Sequence, residues 1–176
     1  DEETVADESA QPIDIVIDGE GGAIEADNGV DDTDVAIEID ASVITDDNDS
    51  VTVDASSVAD EDYSFTIKTG AAQDHVESSD TVDTISTGAE DDTINARDGD
   101  DVIDAGAGDD LIEGGSGSDT ITGGAGDDDF IFDIFEDSTR SESDVITDFT
   151  SGEDELRITI TLDNSGGAGE YDFTNK

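Results

Sequence analysis

A nine-residue repeat runs through the middle of this chain and limits the folds open to it more than any other feature. Between Thr69 and Ile131 the sequence divides into seven consecutive blocks of nine, the last two reading GGSGSDTIT and GGAGDDDFI. The sixth position of every block is aspartate, namely Asp74, Asp83, Asp92, Asp101, Asp110, Asp119 and Asp128. The eighth position is always apolar, namely Val76, Ile85, Ile94, Ile103, Ile112, Ile121 and Phe130. Spacing this regular predicts a repetitive structure in which each block occupies an equivalent place.

The residue types within a block predict its local conformation. Glycine recurs at the first, second and fourth positions, where it permits positive φ and a tight turn. The predicted turn glycines of the later blocks are Gly99, Gly106, Gly108, Gly115, Gly117, Gly124 and Gly126. The last three residues of a block favour a short strand whose central side chain points inward. A sixth-position carboxylate beside the carbonyl oxygens of a tight turn suits a hard cation such as Ca²⁺.

The charge of the chain points to cations as partners. Of 176 residues, 52 are acidic and five are basic, for a formal net charge of −47, and only 32% are hydrophobic. Such a composition is typical of a disordered chain unless something neutralises the charge. It argues against nucleic acid and anionic membranes as partners. No apolar run approaches the length of a membrane span, so we expect no membrane insertion.

Each block resembles the nonapeptide GGxGxDxUx of the repeats-in-toxin (RTX) family, where U is a large apolar residue. The resemblance implies an all-β fold, a parallel β-roll or β-solenoid in which two blocks form one coil. It also implies calcium ions between stacked coils that bridge sixth-position aspartates, about five ions in all. The metal-binding residues that it predicts are Asp83, Asp92, Asp101, Asp110, Asp119 and Asp128, with Asp74 as a weaker member.

The earlier blocks depart from this pattern. Ala72, Thr81 and Glu90 replace the fourth-position glycine, and Arg97 occupies a second position. The arginine weakens the prediction of the turn around it. An alternative for the early blocks is a solenoid turn that holds no metal.

The flanking segments predict three further regions. Residues 1–12 are interpreted as a disordered leader. Residues 13–68 contain short apolar–x–apolar segments, IDIVID and then pairs such as Ile24/Ala26, Ile37/Ile39 and Phe65/Ile67, separated by Asp, Asn and Ser turns. These segments favour strands and a metal-poor solenoid that continues into the repeat region at 69–131, with a small separate β-sandwich as the alternative.

The C-terminal segment, 132–176, is interpreted as a cap of short strands. Its FIF, DVITDF and GED stretches resemble the segment that follows RTX repeats in secreted proteins and closes the roll. An open solenoid end exposes a strand edge and an apolar cross-section, which a cap would cover. The resemblance also implies a secreted, extracellular or cell-surface protein exported by type I secretion, although the tail ending at Lys176 matches such signals weakly.

No motif indicates catalysis, so we expect no enzymatic activity. Cysteine is absent, no HExxH motif occurs, and the one histidine, His75, lies at a seventh position that should face solvent. The DDNDS stretch lacks the glycine and closing glutamate of an EF-hand and is interpreted as a turn. The leading hypothesis is therefore a calcium-binding structural module that folds after secretion. The alternatives are a fibre or surface-layer subunit that self-associates end to end, and an accessory module that binds polysaccharide.

Overall fold

The protein is all-β and forms a parallel β-roll. The computed structural model describes residues 13–16, 35–44, 49–58, 63–133 and 143–159, and these contain thirteen strands and no helix. The predicted leader at 1–12, the Ile24/Ala26 segment and the tail after residue 159 lie outside the described residues. Since the described part of the chain contains no helix, it offers no long apolar helix that could cross a membrane.

The thirteen strands form two sheets, and every pairing within them is parallel. The strands are β1 (Ile13–Val16), β2 (Val35–Asp40), β3 (Val51–Asp54), β4 (Tyr63–Lys68), β5 (His75–Glu77), β6 (Thr84–Ala89), β7 (Thr93–Asn95), β8 (Val102–Ala107), β9 (Leu111–Glu113), β10 (Thr120–Ala125), β11 (Asp129–Asp133), β12 (Val145–Ile146) and β13 (Glu155–Thr159). One sheet has the order β1-β3-β5-β7-β9-β11-β13 and the other β12-β10-β8-β6-β4-β2. Consecutive strands therefore alternate between the sheets, as a two-sided coil requires.

The register between coils follows the repeat. Val76 pairs with Ile94, which pairs with Ile112, which in turn pairs with Phe130, so residues 18 apart stack in one sheet. Ile85, Ile103 and Ile121 stack in the same way in the other sheet. Two nine-residue blocks thus make one coil. A slip of one residue would turn every apolar side chain outward, so the buried face specifies this register.

The strands before the repeats extend the same two sheets. In one sheet β4 lies between β2 and β6 and pairs with both, so Ile67 lies between Ile39 and Ile85. In the other, β3 pairs with both β1 and β5, and Val53 lies beside Val76. The described strands form only these two sheets, whereas a separate β-sandwich would need sheets of its own.

A narrow apolar core lies between the sheets. The eighth-position side chains from Val76 to Phe130 are at most 1% exposed, and Val51, Val53, Phe65 and Ile67 join them from the preceding strands. Side chains of a strand alternate between the two faces, so the seventh and ninth positions face outward. His75 is exposed in this way, as the sequence predicts. The core is a single stack per sheet, and the turns at the two edges must contribute much of what holds the coils together.

Candidate metal centre

The glycine turns bring the backbones of successive coils into close contact. The seven predicted turn glycines all have φ between 94° and 147°, a region in which other residues are strained. A Cβ atom on Gly106 would clash with the carbonyl oxygen of Gly88, and one on Gly124 with that of Gly106. The turns therefore stack carbonyl oxygens of successive coils along each edge of the roll, where they are available as oxygen ligands.

At two positions that glycine occupies in the later blocks, a residue with a side chain takes a positive φ instead. Glu90 and Arg97 both have a φ of 73°, whereas the predicted turn glycines have φ between 94° and 147°. Arg97 thus keeps a positive φ, although a smaller one than the second-position glycines Gly106, Gly115 and Gly124. Asp98 still forms a parallel bridge with Ser116 in the next coil.

The sixth-position aspartates form two buried ladders along the edges of the roll. Each is between 1% and 4% exposed. From Asp92 to Asp128, Oδ1 of each carboxylate accepts a hydrogen bond from the backbone N–H of the aspartate 18 residues earlier, with N···O distances of 2.7–3.1 Å. One ladder contains Asp74, Asp92, Asp110 and Asp128, and the other contains Asp83, Asp101 and Asp119. The predicted pairs of aspartates are therefore neighbours, and one oxygen of each links two coils directly.

A second set of carboxylates also links neighbouring coils, but it accepts hydrogen bonds from the following coil instead of the preceding one. The fifth-position residues Asp91, Asp100 and Asp109 accept hydrogen bonds at Oδ1 from the backbone of the following coil, each at 2.9 Å. These side chains are exposed, unlike their sixth-position neighbours. Hydrogen bonds to ionised acceptors are stronger than those between neutral groups, so both sets stabilise the stacking.

The other oxygen of the central aspartates lacks a compensating donor. Oδ2 of Asp92, Asp101 and Asp110 is buried without a hydrogen-bond partner among the described residues, and the Thr87 hydroxyl near Asp92 donates to the carbonyl of Ala105 instead. A buried, ionised oxygen without a donor is strongly unfavourable. These three oxygens fit a bound cation, which would satisfy the charge and the missing contact together.

Burial also changes the proton affinity of these carboxyls. It raises the pKa of Asp101 to about 9, that of Asp92 to about 7 and that of Asp110 to about 6, against the effect of the backbone hydrogen bonds that each accepts. Neighbouring aspartates of the same ladder raise these pKa values further by repulsion. Burial likewise raises the pKa of Asp128. At neutral pH a metal-free Asp101 would therefore hold a proton and Asp92 would hold one part of the time, and a cation would take the place of these protons.

Any metal site here needs the backbone as well as the side chains. In the described part of the chain, no three His, Cys, Asp or Glu side chains converge as a side-chain metal site would require. Ca²⁺ takes six to eight oxygen ligands and readily uses carbonyls. The stacked turn carbonyls could supply the oxygens that the aspartates do not.

Asp74 and Asp83 differ from the central aspartates because both of their oxygens have donors. Asp74 accepts hydrogen bonds from the N–H of Val51 at 2.7 Å and from that of Gly70 at 3.1 Å. Asp83 accepts one from the N–H of Phe65 at 2.7 Å through Oδ1, and Ser78 and Ser79 donate to its Oδ2. The structure thus places these two residues on the predicted ladders but in a different chemical setting.

Two ladder residues were missed in the sequence. The N–H of Asp119 donates to Oδ1 of Asp144 at 3.0 Å, and the N–H of Asp128 donates to Oδ1 of Asp154 at 3.2 Å. Both ladders therefore continue beyond the last block, although the spacing lengthens to 25 and 26 residues. The signal was present in the sequence: Asp144 and Asp154 each stand two residues before an apolar residue, Ile146 or Leu156, that stacks on an eighth position.

This arrangement defines the class of the protein: a parallel β-roll with buried aspartate ladders at the edges of its coils. A family model of the RTX calcium-binding nonapeptide repeat, built of four copies, matches residues 77–112 and 105–138. The central part of the chain therefore consists of RTX calcium-binding repeats, and the chain contains a calcium-binding module. No curated protein and no solved structure matches the chain in comparison.

Proposed function

We propose that this chain is an extracellular structural module that folds when it binds calcium after secretion. The observation that carries the proposal is the buried Oδ2 oxygen without a donor on Asp92, Asp101 and Asp110, repeated coil after coil. Ions bound there would offset carboxylate repulsion and join successive coils. Because such sites exist only when the coils are stacked, metal binding and folding would be one process.

The remaining features support a structural role outside the cell. The repeats bury one large apolar side chain for every nine residues, with a few alanines beside them, which is little to offset the entropy lost on ordering the chain. Calcium is scarce in the cytosol, so such a chain would remain unfolded there and could be exported in that state. The similarity to RTX repeats supports type I secretion as the route. The single histidine is exposed, and the proposal involves no catalysis.

Strands at the C-terminal end of the roll support the cap proposed for residues 132–176. β12 extends one sheet beyond β10 and β13 extends the other beyond β11. The ring of Phe149 lies 6.0 Å from that of Phe130, the last eighth-position residue. These contacts would cover part of the apolar cross-section at the end of the core.

A calcium titration of the full chain, followed by far-UV circular dichroism and by calorimetry, tests the proposal. We expect less ordered β-structure in chelator at neutral pH than in calcium, with a cooperative gain as calcium is added and several ions bound per chain. Magnesium at equal ionic strength is the control, since Mg²⁺ requires a stricter octahedral geometry and loses its water reluctantly. Equal β-content in chelator and in calcium would rule the proposal out.

A further inference from the structure

One turn of the roll satisfies its aspartate entirely with groups of the protein. Ser78 Oγ donates to Asp83 Oδ2 at 2.5 Å, and Ser79 donates to the same oxygen through Oγ at 2.8 Å and N–H at 3.1 Å. Thr81 Oγ1 lies 2.8 Å from Ser79 Oγ and 3.4 Å from Asp83 Oδ1. All four residues are buried. Three donors thus surround the oxygen whose equivalents in Asp92, Asp101 and Asp110 have none.

A positive charge of the chain lies on the same edge. Arg97, one coil later, places Nε 2.7 Å from Asp80 Oδ1 and Nη1 3.2 Å from Glu77 Oε1. Asp80 belongs to the serine turn and Glu77 immediately precedes it. The guanidinium is partly shielded from solvent, so it neutralises acidic groups that a bound cation would otherwise have to offset. Neighbouring turns of the repeat have no comparable basic residue.

The coil before this turn, which contains β3 and β4 and pairs with β5 and β6, has a thicker core than the later ones, whereas β5 itself buries one apolar side chain. β3 buries both Val51 and Val53, and β4 buries both Phe65 and Ile67. Strands β7 and β9 each bury a single apolar side chain, Ile94 or Ile112. Stabilisation by apolar burial grows with the area removed from water, so the early coils depend less on any ion.

We propose that the turn formed by Ser78, Ser79, Thr81 and Asp83 is a metal-free turn, in which hydroxyl donors and Arg97 replace calcium. The coils around it remain ordered without calcium and present strands β5 and β6 as a preformed edge on which the calcium-dependent coils add. The inference rests on the proposed function, because it divides one roll into a part that needs the ion and a part that does not.

Hydrogen exchange of the full chain in chelator tests the division directly. We expect backbone amides of residues 63–86 to be protected in chelator, and those of residues 105–131 to become protected only in calcium. Equal exchange of both segments in chelator would overturn the inference. A chain that binds no calcium at all would instead overturn the proposed function, while protection of residues 63–86 would still be measurable.

Matched variants test the chemistry of the turn. Asp83→Asn should leave the number of bound calcium ions unchanged, whereas Asp101→Asn, on the same ladder, should reduce it. An equal reduction in both variants would show that Asp83 binds the ion. The double variant Ser78→Ala/Ser79→Ala keeps the carboxylate but removes its hydroxyl donors, so protection of residues 63–86 should then require calcium. Unchanged protection of that segment in chelator would contradict the role assigned to the serines.

Discussion

At the sixth position of each repeat, the two oxygens of one aspartate differ in their hydrogen-bond partners. Oδ1 accepts an N–H from the preceding coil in every block, whereas the partners of Oδ2 change along the chain. Hydroxyls surround Oδ2 in Asp83, and no hydrogen-bond donor of the described chain reaches it in Asp101. The donors around Oδ2, more than the aspartate itself, therefore separate a metal-binding position from a structural one.

Replacing aspartates of one ladder should reveal this difference. We expect Asp110→Ala to weaken calcium binding by roughly tenfold or more at one site, about 1.4 kcal/mol, because it removes an ionised ligand. Asp74→Ala should leave the number and affinity of bound ions nearly unchanged, because both oxygens of Asp74 already accept backbone hydrogen bonds. Calorimetric titration of the two variants makes the comparison. Equal losses of affinity would contradict it.

Among the elements of the fold, the turn determines how closely two coils approach. Positive φ at the second and fourth positions directs the backbone, and the absence of a side chain lets the carbonyl of the coil below come close. Glu90 and Arg97 show that a residue with a side chain can take a positive φ in these turns, at 73° rather than the 94–147° of the predicted turn glycines. The close approach between coils is the stricter demand.

Two glycine-to-alanine variants separate these effects. Gly108 has a φ of 145° and a Cβ there would clash with backbone atoms of Glu90, whereas Gly152 has a φ of 103° with nothing within 4 Å. We expect Gly152→Ala to cost about 1 kcal/mol from backbone strain and Gly108→Ala to cost more, because the coils must also move apart. Chemical denaturation in calcium measures both. A larger loss of stability at Gly152 would assign the cost to φ instead.

For the whole molecule, the proposed function makes folding depend on the balance between protons and cations. The chain carries a formal net charge of −47, and its central aspartates are buried. In the metal-free state the folded chain holds protons on Asp92, Asp101 and Asp110 that the unfolded chain, with a pKa near 3.8, releases. Stability that depends on these protons is lost as pH rises from about 4 through the raised pKa values.

The metal-free chain should therefore be more ordered at pH 5 than at pH 8. Calcium should restore order at pH 8 and change little at pH 5, because the ion must displace the protons that already neutralise the ladder. Far-UV circular dichroism in chelator at the two pH values checks this, with light scattering as a control for aggregation. An increase of metal-free β-structure from pH 5 to pH 8 would reverse the expected sign.

Much of the roll could be predicted from the repeat. The period of nine, the aspartate and the apolar residue together predicted the parallel coil, the two stacks of apolar side chains and the aspartates at the edges, because each depends on local spacing. The repeat did not predict that the ladders continue through Asp144 and Asp154. These residues follow at spacings of 25 and 26 instead of 18, because a longer segment of chain connects them to the last blocks.

The full set of donors around each carboxylate is defined only by the folded structure, in which the coils are stacked. Ser78 and Ser79 look like two small polar residues in a degenerate block, and Arg97 looks like a departure from the pattern. In the folded chain the two serines surround Asp83 of their own block, whereas Arg97 neutralises Asp80 and Glu77 of earlier blocks, 17 and 20 residues away. Whether a buried charge is satisfied depends on every group around it in space, whereas a nine-residue pattern specifies only its neighbours along the chain.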